Sequence, residues 1–389
     1  MPHSDAQPAL QHEPVAPGAP RERPPLAPAL DPRLYLDPAV VELEQRAIFE
    51  RTWQLAGHVA DLPSPGTYIT TDVGDQPVLV VRDDDGEIRA FRNVCRHRGS
   101  RLLTGSGGCP KAIRCRYHGW TYRLDGALIG VPEGREIPGL DKSRLGLHQV
   151  RAEVFCGLVF VNLDRGAAPM TELFDGLAER LAPYRLPELR RFGGGSGGST
   201  QPANWKVVVE NYIEGYHIPI AHPSLMRLLD YQRYDVELHD GWVWFEAPLR
   251  DKPSENRLER LYQRMVRPTP GLAPSDRRVW RYAFIYPNTT IDLYPDQVTT
   301  WRLWADGPDT TLDEWGAFRF PGAPPATRVV QRINTALNNG VLREDVELVD
   351  NVQRGVRSRG YRPGPLSRRE AAVAWFADRI RADLEQASP

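Results

Sequence analysis

The sequence predicts an α+β protein: a small antiparallel β domain over residues 56–165, then a larger domain over 166–389 of antiparallel strands and long helices. Three patterns point there. Between 56 and 165, short apolar runs such as PVLVV (77–81) and VFCGLVFV (154–161) are separated by turns such as Asp83-Asp84-Asp85-Gly86 and Asp125-Gly126, the signature of short antiparallel strands. Residues 240–320 continue as strands, and residues 326–358 switch to helical spacing. Strands followed by helices, with no regular βαβ alternation, give an α+β class.

The chain has 389 residues, 41% hydrophobic and 25% charged, enough for two buried cores. A formal net charge of −1 leaves no basic excess to hold phosphates, so nucleic acid is not an expected partner. No run approaches the roughly 18 apolar residues of a membrane span, and the N-terminus lacks a charged segment followed by an apolar one. A cytoplasmic location is expected. In that compartment the four cysteines, Cys95, Cys109, Cys115 and Cys156, read as thiols or metal ligands rather than disulfides.

Taken in order, residues 1–34 hold nine prolines and few large apolar side chains, so a disordered tail is expected. A helix within 35–55 (PAVVELEQRAIFERTW, 38–53) leads into the β domain and belongs with the second domain. The run Gly193-Gly194-Gly195-Ser196-Gly197-Gly198-Ser199 reads as a flexible connector or a mobile loop. Residues 200–222 read as a helix. A last helix starts at the Ser367/Glu370 capping box, with Val373, Phe376, Ile380 and Leu384 on its buried face.

Two sets of residues carry chemistry. The first is NVCRHRG and RCRYHGWTY: Cys95-x-His97 and Cys115-x-x-His118, with 17 residues (98 to 114) between the pairs. Two thiolates and two imidazoles can hold a [2Fe–2S] cluster, one iron on the cysteines and the other on the histidines; neutral histidine in place of thiolate raises its potential. Structural zinc accepts the same four ligands. Arg98-Gly99 and Gly119-Trp120, one after each half, suit two tight loops over a cluster. Cys109 is off-pattern and reads as a spare thiol; Cys156 reads as a core residue.

The second set lies in NWKVVVENYIEGYHIPIAHP (204–223). Glu210, Glu214 and His217, spaced four and three apart, would share a helix face. Pro219 would end that helix and let His222 turn back toward His217. Two histidines and one carboxylate bind iron(II) and leave positions open for dioxygen and substrate. In VLREDVELVDNVQRGV, Asp345 lies within about 40° of Val341, Val349, Val352 and Val356 on a helical wheel, while Glu347 and Asp350 point away. A carboxylate on a buried face needs a partner, either a metal or an internal arginine.

Together these motifs closely resemble those of Rieske non-haem iron oxygenase α (terminal oxygenase) subunits over roughly residues 36–380. The resemblance implies a Rieske β domain beside a helix-grip catalytic domain. It also implies a [2Fe–2S] cluster on Cys95, His97, Cys115 and His118, and a mononuclear Fe(II) on His217, His222 and Asp345. Glu214 matches the acid that bridges the catalytic iron to the cluster of a neighbouring subunit, usually in a head-to-tail homotrimer. Dioxygen would be the co-substrate. NAD(P)H electrons would arrive through a separate flavin/iron–sulfur reductase, as the sequence carries no flavin or nicotinamide motif.

Ring hydroxylases of this family mostly have Asp at the bridge. Glu214 is similar instead to the subgroup acting on quaternary ammonium compounds such as carnitine, glycine betaine and choline. Trp280, Tyr282, Phe284 and Tyr286 alternate at period two and share one strand face; Trp242 and Trp244 repeat the pattern. Such a face suits a methylated cation. It equally suits packing on the C-terminal helix, or stacking the ring of an aromatic or natural-product substrate to be hydroxylated or demethylated. An electron-transfer or zinc-binding protein is the non-enzyme alternative, against which the second site argues.

Overall fold

The computed structural model describes residues 28–109, 111–267 and 271–387. Ten strands build the first domain. They are β1 (Gln54–His58), β2 (Thr67–Val73), β3 (Gln76–Arg82), β4 (Ile88–Arg92), β5 (Ser106–Gly108), β6 (Ile113–Arg114), β7 (Thr121–Tyr122), β8 (Leu128–Gly130), β9 (Gln149–Phe155) and β10 (Leu158–Asn162). Seven form one sheet in the order β1-β10-β9-β4-β3-β2-β5, and β6-β7-β8 form a three-stranded sheet above it. Every pairing is antiparallel. The second domain has one seven-stranded sheet. Its strands are β11 (Arg190–Gln201), β12 (Asp235–Leu238), β13 (Trp242–Pro248), β14 (Val279–Ile285), β15 (Thr289–Leu293), β16 (Val298–Ala305) and β17 (Thr311–Arg319), in the order β11-β17-β16-β15-β14-β13-β12.

Helices α1 (Arg33–Leu36) and α2 (Pro38–Glu44) open the chain, and α2 runs into a π-helical turn over Gln45–Phe49. Between the domains lie α3 (Met170–Leu173) and α4 (Leu177–Leu181). The site is carried by α5 (Trp205–Tyr212), α6 (Ile218–Ala221), α7 (Pro223–Leu228) and the 32-residue α9 (Pro325–Val356); α8 (Arg257–Met265) packs beside α9, and α10 (Ala371–Ala387) closes the chain. The fold class expected from the sequence is the one observed. No helix among the described residues is long and apolar enough to cross a membrane.

The large sheet has a different partner on each face. One face carries Trp242, Trp244, Ala283, Ile285 and Ile291 and packs on Trp53, Leu55, Phe155 and Phe160 around the first domain. Burying each such large side chain contributes about 1.5–3 kcal/mol. The other face meets the helices: Trp280 packs with Val330 and Ile333 of α9, and Phe284 lies 6.0 Å from Phe376 of α10. A buried arginine also ties the domains together. Arg302 of β16 donates to Thr71 Oγ1 at 2.5 Å and to the Leu55 carbonyl. Burial lowers its pKa to about 9.

Four sequence expectations change. The glycine-rich run is not a connector but part of β11, paired antiparallel with β17 (Gly197 opposite Trp315, Ser199 opposite Asp313). Glycine is needed because a Cβ on Gly197 would meet the Trp315 indole at 2.8 Å, and one on Gly198 the Asp313 carbonyl at 2.9 Å. Of the tail expected to be disordered, residues 1–27 lie outside the described residues. Its last part is packed: Leu30 is buried, and Arg381 donates to the Pro28 and Ala29 carbonyls. The helix expected over 200–222 is two short ones, α5 and α6, with α7 following from Pro223, and Pro219 lies in the first turn of α6 rather than at a helix end. Val352 is exposed, and Gln353 takes the buried position, where its side chain accepts from the Asn204 backbone N–H at 2.9 Å. A satisfied polar group can be buried where hydropathy alone predicts an apolar one.

The same contact accounts for the NWK motif. Asn204 caps α5 by accepting from Lys206 N–H and donates to the Tyr35 and Pro308 carbonyls. Trp205 Nε1 and Lys206 Nζ both donate to Glu44 of α2. The opening helix is thereby fastened to the helix that leads into the second site.

Candidate metal centres and substrate cavity

The first site is built on two loops with one backbone pattern. Gly99 N–H donates to the Cys95 carbonyl at 3.1 Å and Gly119 N–H to that of Cys115 at 3.0 Å. Cys95 N–H and Cys115 N–H donate to Ser100 O and Trp120 O, each at 2.8 Å. Both glycines have φ of +72°, which a side chain would strain. Cys95 and Cys115 are buried; His97 and His118 are exposed. His97 stacks on Trp120 (centroids 4.8 Å, planes 6° apart), and the two imidazoles lie 4.8 Å apart. Burial opposes ionisation of Cys115, yet its pKa is lowered, because the N–H groups of Tyr117 and His118 stabilise the thiolate. Tyr122, which sequence reasoning did not single out, holds its hydroxyl 3.3 Å from Cys95 Sγ and accepts from Arg96 N–H.

Among the described residues, one set of three or more potential ligand atoms lies within 4.8 Å of one another, and it is not this one but His217, His222 and Asp345. The first set places its thiols inside and its imidazoles outside, on paired loops, an arrangement that suits a two-iron cluster. Cys109 stands apart, its Sγ near the Gly66 carbonyl at 3.4 Å. Cys156 is half-buried in the β9–β10 turn at φ +50°, packed on the edge of the core rather than inside it.

At the second site, His222 Nε2 lies 3.0 Å from His217 Nε2 and 3.0 Å from Asp345 Oδ1; His217 Nε2 is 3.6 Å from the same oxygen. The other nitrogen of each ring is also occupied. Glu214 accepts from His217 Nδ1 and from the Tyr216 and His217 backbone N–H groups. Glu344 Oε2 accepts from His222 Nδ1 at 2.7 Å. With Nδ1–H held by a carboxylate on each ring, both Nε2 lone pairs face Asp345, as metal-ligating imidazoles require. Burial disfavours a charged His222, but Asp345 and Glu344 outweigh it and raise its pKa.

Glu344 was missed. The sequence argument followed the apolar stripe through Asp345, and Glu344 is about 100° off it. That offset lets two consecutive side chains of α9 hold opposite edges of one imidazole. Replacing Glu344 with Gln is expected to weaken iron retention about 10-fold while leaving the cluster spectrum intact, as outer partners of ligating histidines do. Iron content after graded chelation checks this; unchanged retention would leave Glu344 a surface residue. The shared face of Glu210, Glu214 and His217 is not observed. Helix α5 ends at Tyr212, so Glu210 turns away to Tyr35, whose hydroxyl donates at 2.8 Å, and burial pushes the Glu210 carboxyl up to about 7. Glu214 reaches His217 through the turn that follows.

A cavity of about 390 Å³ opens over the triad. The aromatic run expected to form one wall is divided. Trp280 packs on Tyr294 and Tyr262; Phe284 and Tyr286 pack on Trp375 and Phe376 of α10; only Tyr282 of the four lines the cavity. Trp242 and Trp244 face the opposite side, because β13 is registered with Phe245, not Trp244, beside Tyr282. The aromatic lining comes from several elements instead: Tyr212, Tyr234, Phe245, Tyr282, Tyr294, Trp301 and Trp315. Tyr212 meets Tyr282 edge-on at 6.4 Å, and Trp301 lies 6.5 Å from Trp315.

The chain matches the ring-hydroxylating alpha subunit (catalytic domain) family over residues 186–386 and the Rieske [2Fe-2S] domain family over residues 52–141. It belongs to the Rieske non-haem iron oxygenases, as a catalytic α subunit with a [2Fe–2S] cluster and a mononuclear iron. Within that class it is related to the quaternary ammonium monooxygenases. It is 31% identical to the glycine betaine monooxygenase oxygenase subunit of Chromohalobacter salexigens, over 91% of this chain and 86% of that one. It is also 31% identical to the carnitine monooxygenase oxygenase subunit of Acinetobacter baumannii, over 84% and 85%. The crystal structure of the quaternary ammonium Rieske monooxygenase CntA with L-carnitine superposes with a TM-score of 0.78 at 27% identity, covering 92% of this chain and 96% of that one.

Proposed function

We propose that the protein oxidises a small quaternary ammonium compound at a carbon next to nitrogen, taking electrons from a separate reductase. The observation that carries this reading is the cavity: rings from seven positions surround the space over the His217, His222 and Asp345 donors. Faces of Tyr and Trp attract a methylated cation, which keeps little hydration to lose. In this reading His217, His222 and Asp345 hold the iron, and Cys95, His97, Cys115 and His118 hold the cluster. When bound, these groups supply dioxygen activation and one-electron relay.

The chain's own residues do the rest. Glu214 and Glu344 keep the Nδ1 protons and so fix both rings with Nε2 inward. Glu214 is also a proton acceptor at His217 Nδ1, suited to accompany electron arrival. Tyr212, Tyr282, Trp301 and their neighbours exclude water and hold the onium group over the open side of the triad. In balance, dioxygen, two electrons and two protons give one hydroxylated carbon and one water. The cationic N–C–OH product then loses its hydroxyl proton and breaks at C–N, the bonding pair leaving on nitrogen, to give an aldehyde, an amine and a proton. Electron transfer between copies is supported by exposed side chains at both ends: Tyr117 and His118 on the cluster loops, Tyr216 and Ile220 beside Glu214. A head-to-tail trimer accommodates that arrangement.

The test is a single turnover. Reduced protein would be mixed with oxygen and a panel of choline, betaines, carnitine, aromatic acids and methyl ethers, and the products followed by mass spectrometry. Aldehyde from an ammonium compound is expected. Intact ammonium compounds beside a hydroxylated or demethylated aromatic would overturn the reading and make the rings a stacking wall.

A further inference from the structure

The charge on the cavity wall narrows the substrate further. No lysine or arginine lines it among the described residues; its acids are Glu214, Asp345 and Asp292. The first two serve the metal centre. Asp292, on β15, does not. It is 5% exposed and accepts from the Tyr212 hydroxyl, from Thr299 Oγ1 at 2.8 Å and from Trp301 Nε1 at 3.0 Å. It makes no ion pair with a described residue. Three donors hold a carboxylate in place against burial, which pushes its pKa up. Two of those donors, Tyr212 and Trp301, are themselves cage rings, so the negative charge sits directly behind the aromatic wall.

A second observation concerns the rest of the ligand. A carboxylate tail would be desolvated beside Glu214, Asp292 and Asp345, with no lysine or arginine among the described lining residues to meet it, whereas a hydroxyl brings no charge to desolvate.

Resting on the onium reading above, we propose that the substrate is a small ammonium compound with an uncharged tail, of the choline type rather than a betaine, and that Asp292 selects its positive charge. The wall then offers carboxylate and rings to the onium group and no cation to a charged tail.

The experiment is a binding titration of the metal-loaded oxygenase, read by quenching of tryptophan fluorescence, since Trp301 and Trp315 line the cavity. Three probes are compared: choline, its neutral carbon isostere 3,3-dimethylbutan-1-ol, and glycine betaine. Choline is expected to bind at least about 10-fold more tightly than either. Asp292→Asn keeps the shape, and is expected to weaken choline about 10-fold or more while leaving the isostere within about two-fold. If choline and glycine betaine bind wild type alike and the isostere does not, the onium reading stands and the uncharged-tail rule is overturned. If all three bind alike, or none binds, the onium reading falls with it. Unchanged choline affinity in the asparagine variant would remove Asp292 from charge selection.

Discussion

Replacing Asp345 with Ala is expected to strip the mononuclear iron while leaving the [2Fe–2S] cluster in place, and to lower turnover by more than about 100-fold. Loss of a partner behind a ligating imidazole already costs about 10–100-fold, and Asp345 is the one acidic group among the three converging donors. Its oxygen lies 3.0 and 3.6 Å from the two Nε2 atoms. Without it, two neutral imidazoles face a dication with nothing to balance its charge. The fold should tolerate the change, because Asp345 is partly solvated and sits on a helix for which alanine is the best former. Metal analysis beside the visible spectrum reads both sites at once. Wild-type iron content with normal turnover would sink the assignment, and loss of both metals together would mean that the variant had lost its structure.

Glu214→Gln should separate electron delivery from metal binding. Both metals are expected to stay, since Gln keeps the length and can still accept from His217 Nδ1. Steady-state turnover is expected to fall about 100-fold, within the usual range for a lost proton-transfer group. The carboxylate is nearly buried, and it accepts from the imidazole and from two backbone N–H groups. An amide in that nest turns one end toward donors it cannot accept from, and it cannot take a proton. The rate of cluster oxidation by oxygen in the presence of substrate, followed in stopped flow, is the sensitive readout. A variant with normal, fully coupled turnover would refute the bridging role.

These predictions rest on residues whose legibility differed. The cysteine–histidine pairs were plain because both ligands of a pair lie on one loop, where chain spacing sets geometry. His217 and His222 were legible for the same reason, although the path between them is the one short helix α6 rather than a break in a longer helix. Asp345 came from helical phase, which also misplaced Val352, because hydropathy does not register that Gln353 is satisfied by Asn204. Glu344 had no periodic signal: a half-exposed glutamate beside a buried aspartate is ordinary on a helix until an imidazole lies across both.

The sequence by itself determined the class, two candidate ligand sets and the strand-then-helix order, since short-range spacing and side-chain period encode these directly. It did not determine the cavity wall. The period-two aromatics of β14 share a face, as read, but that face runs beneath α9 at Trp280, over the cavity at Tyr282 and beneath α10 at Phe284. Which rings meet a ligand depends on where two helices cross the sheet and on the register of β13 against β14. The glycine-rich run became a strand because Trp315, 118 positions from Gly197 (315 − 197), lies over it. Asp292 acquires meaning only beside Tyr212 and Trp301, rings contributed by a helix and another strand. Contacts between residues far apart in the chain leave no local signal, and the substrate is recognised by such contacts.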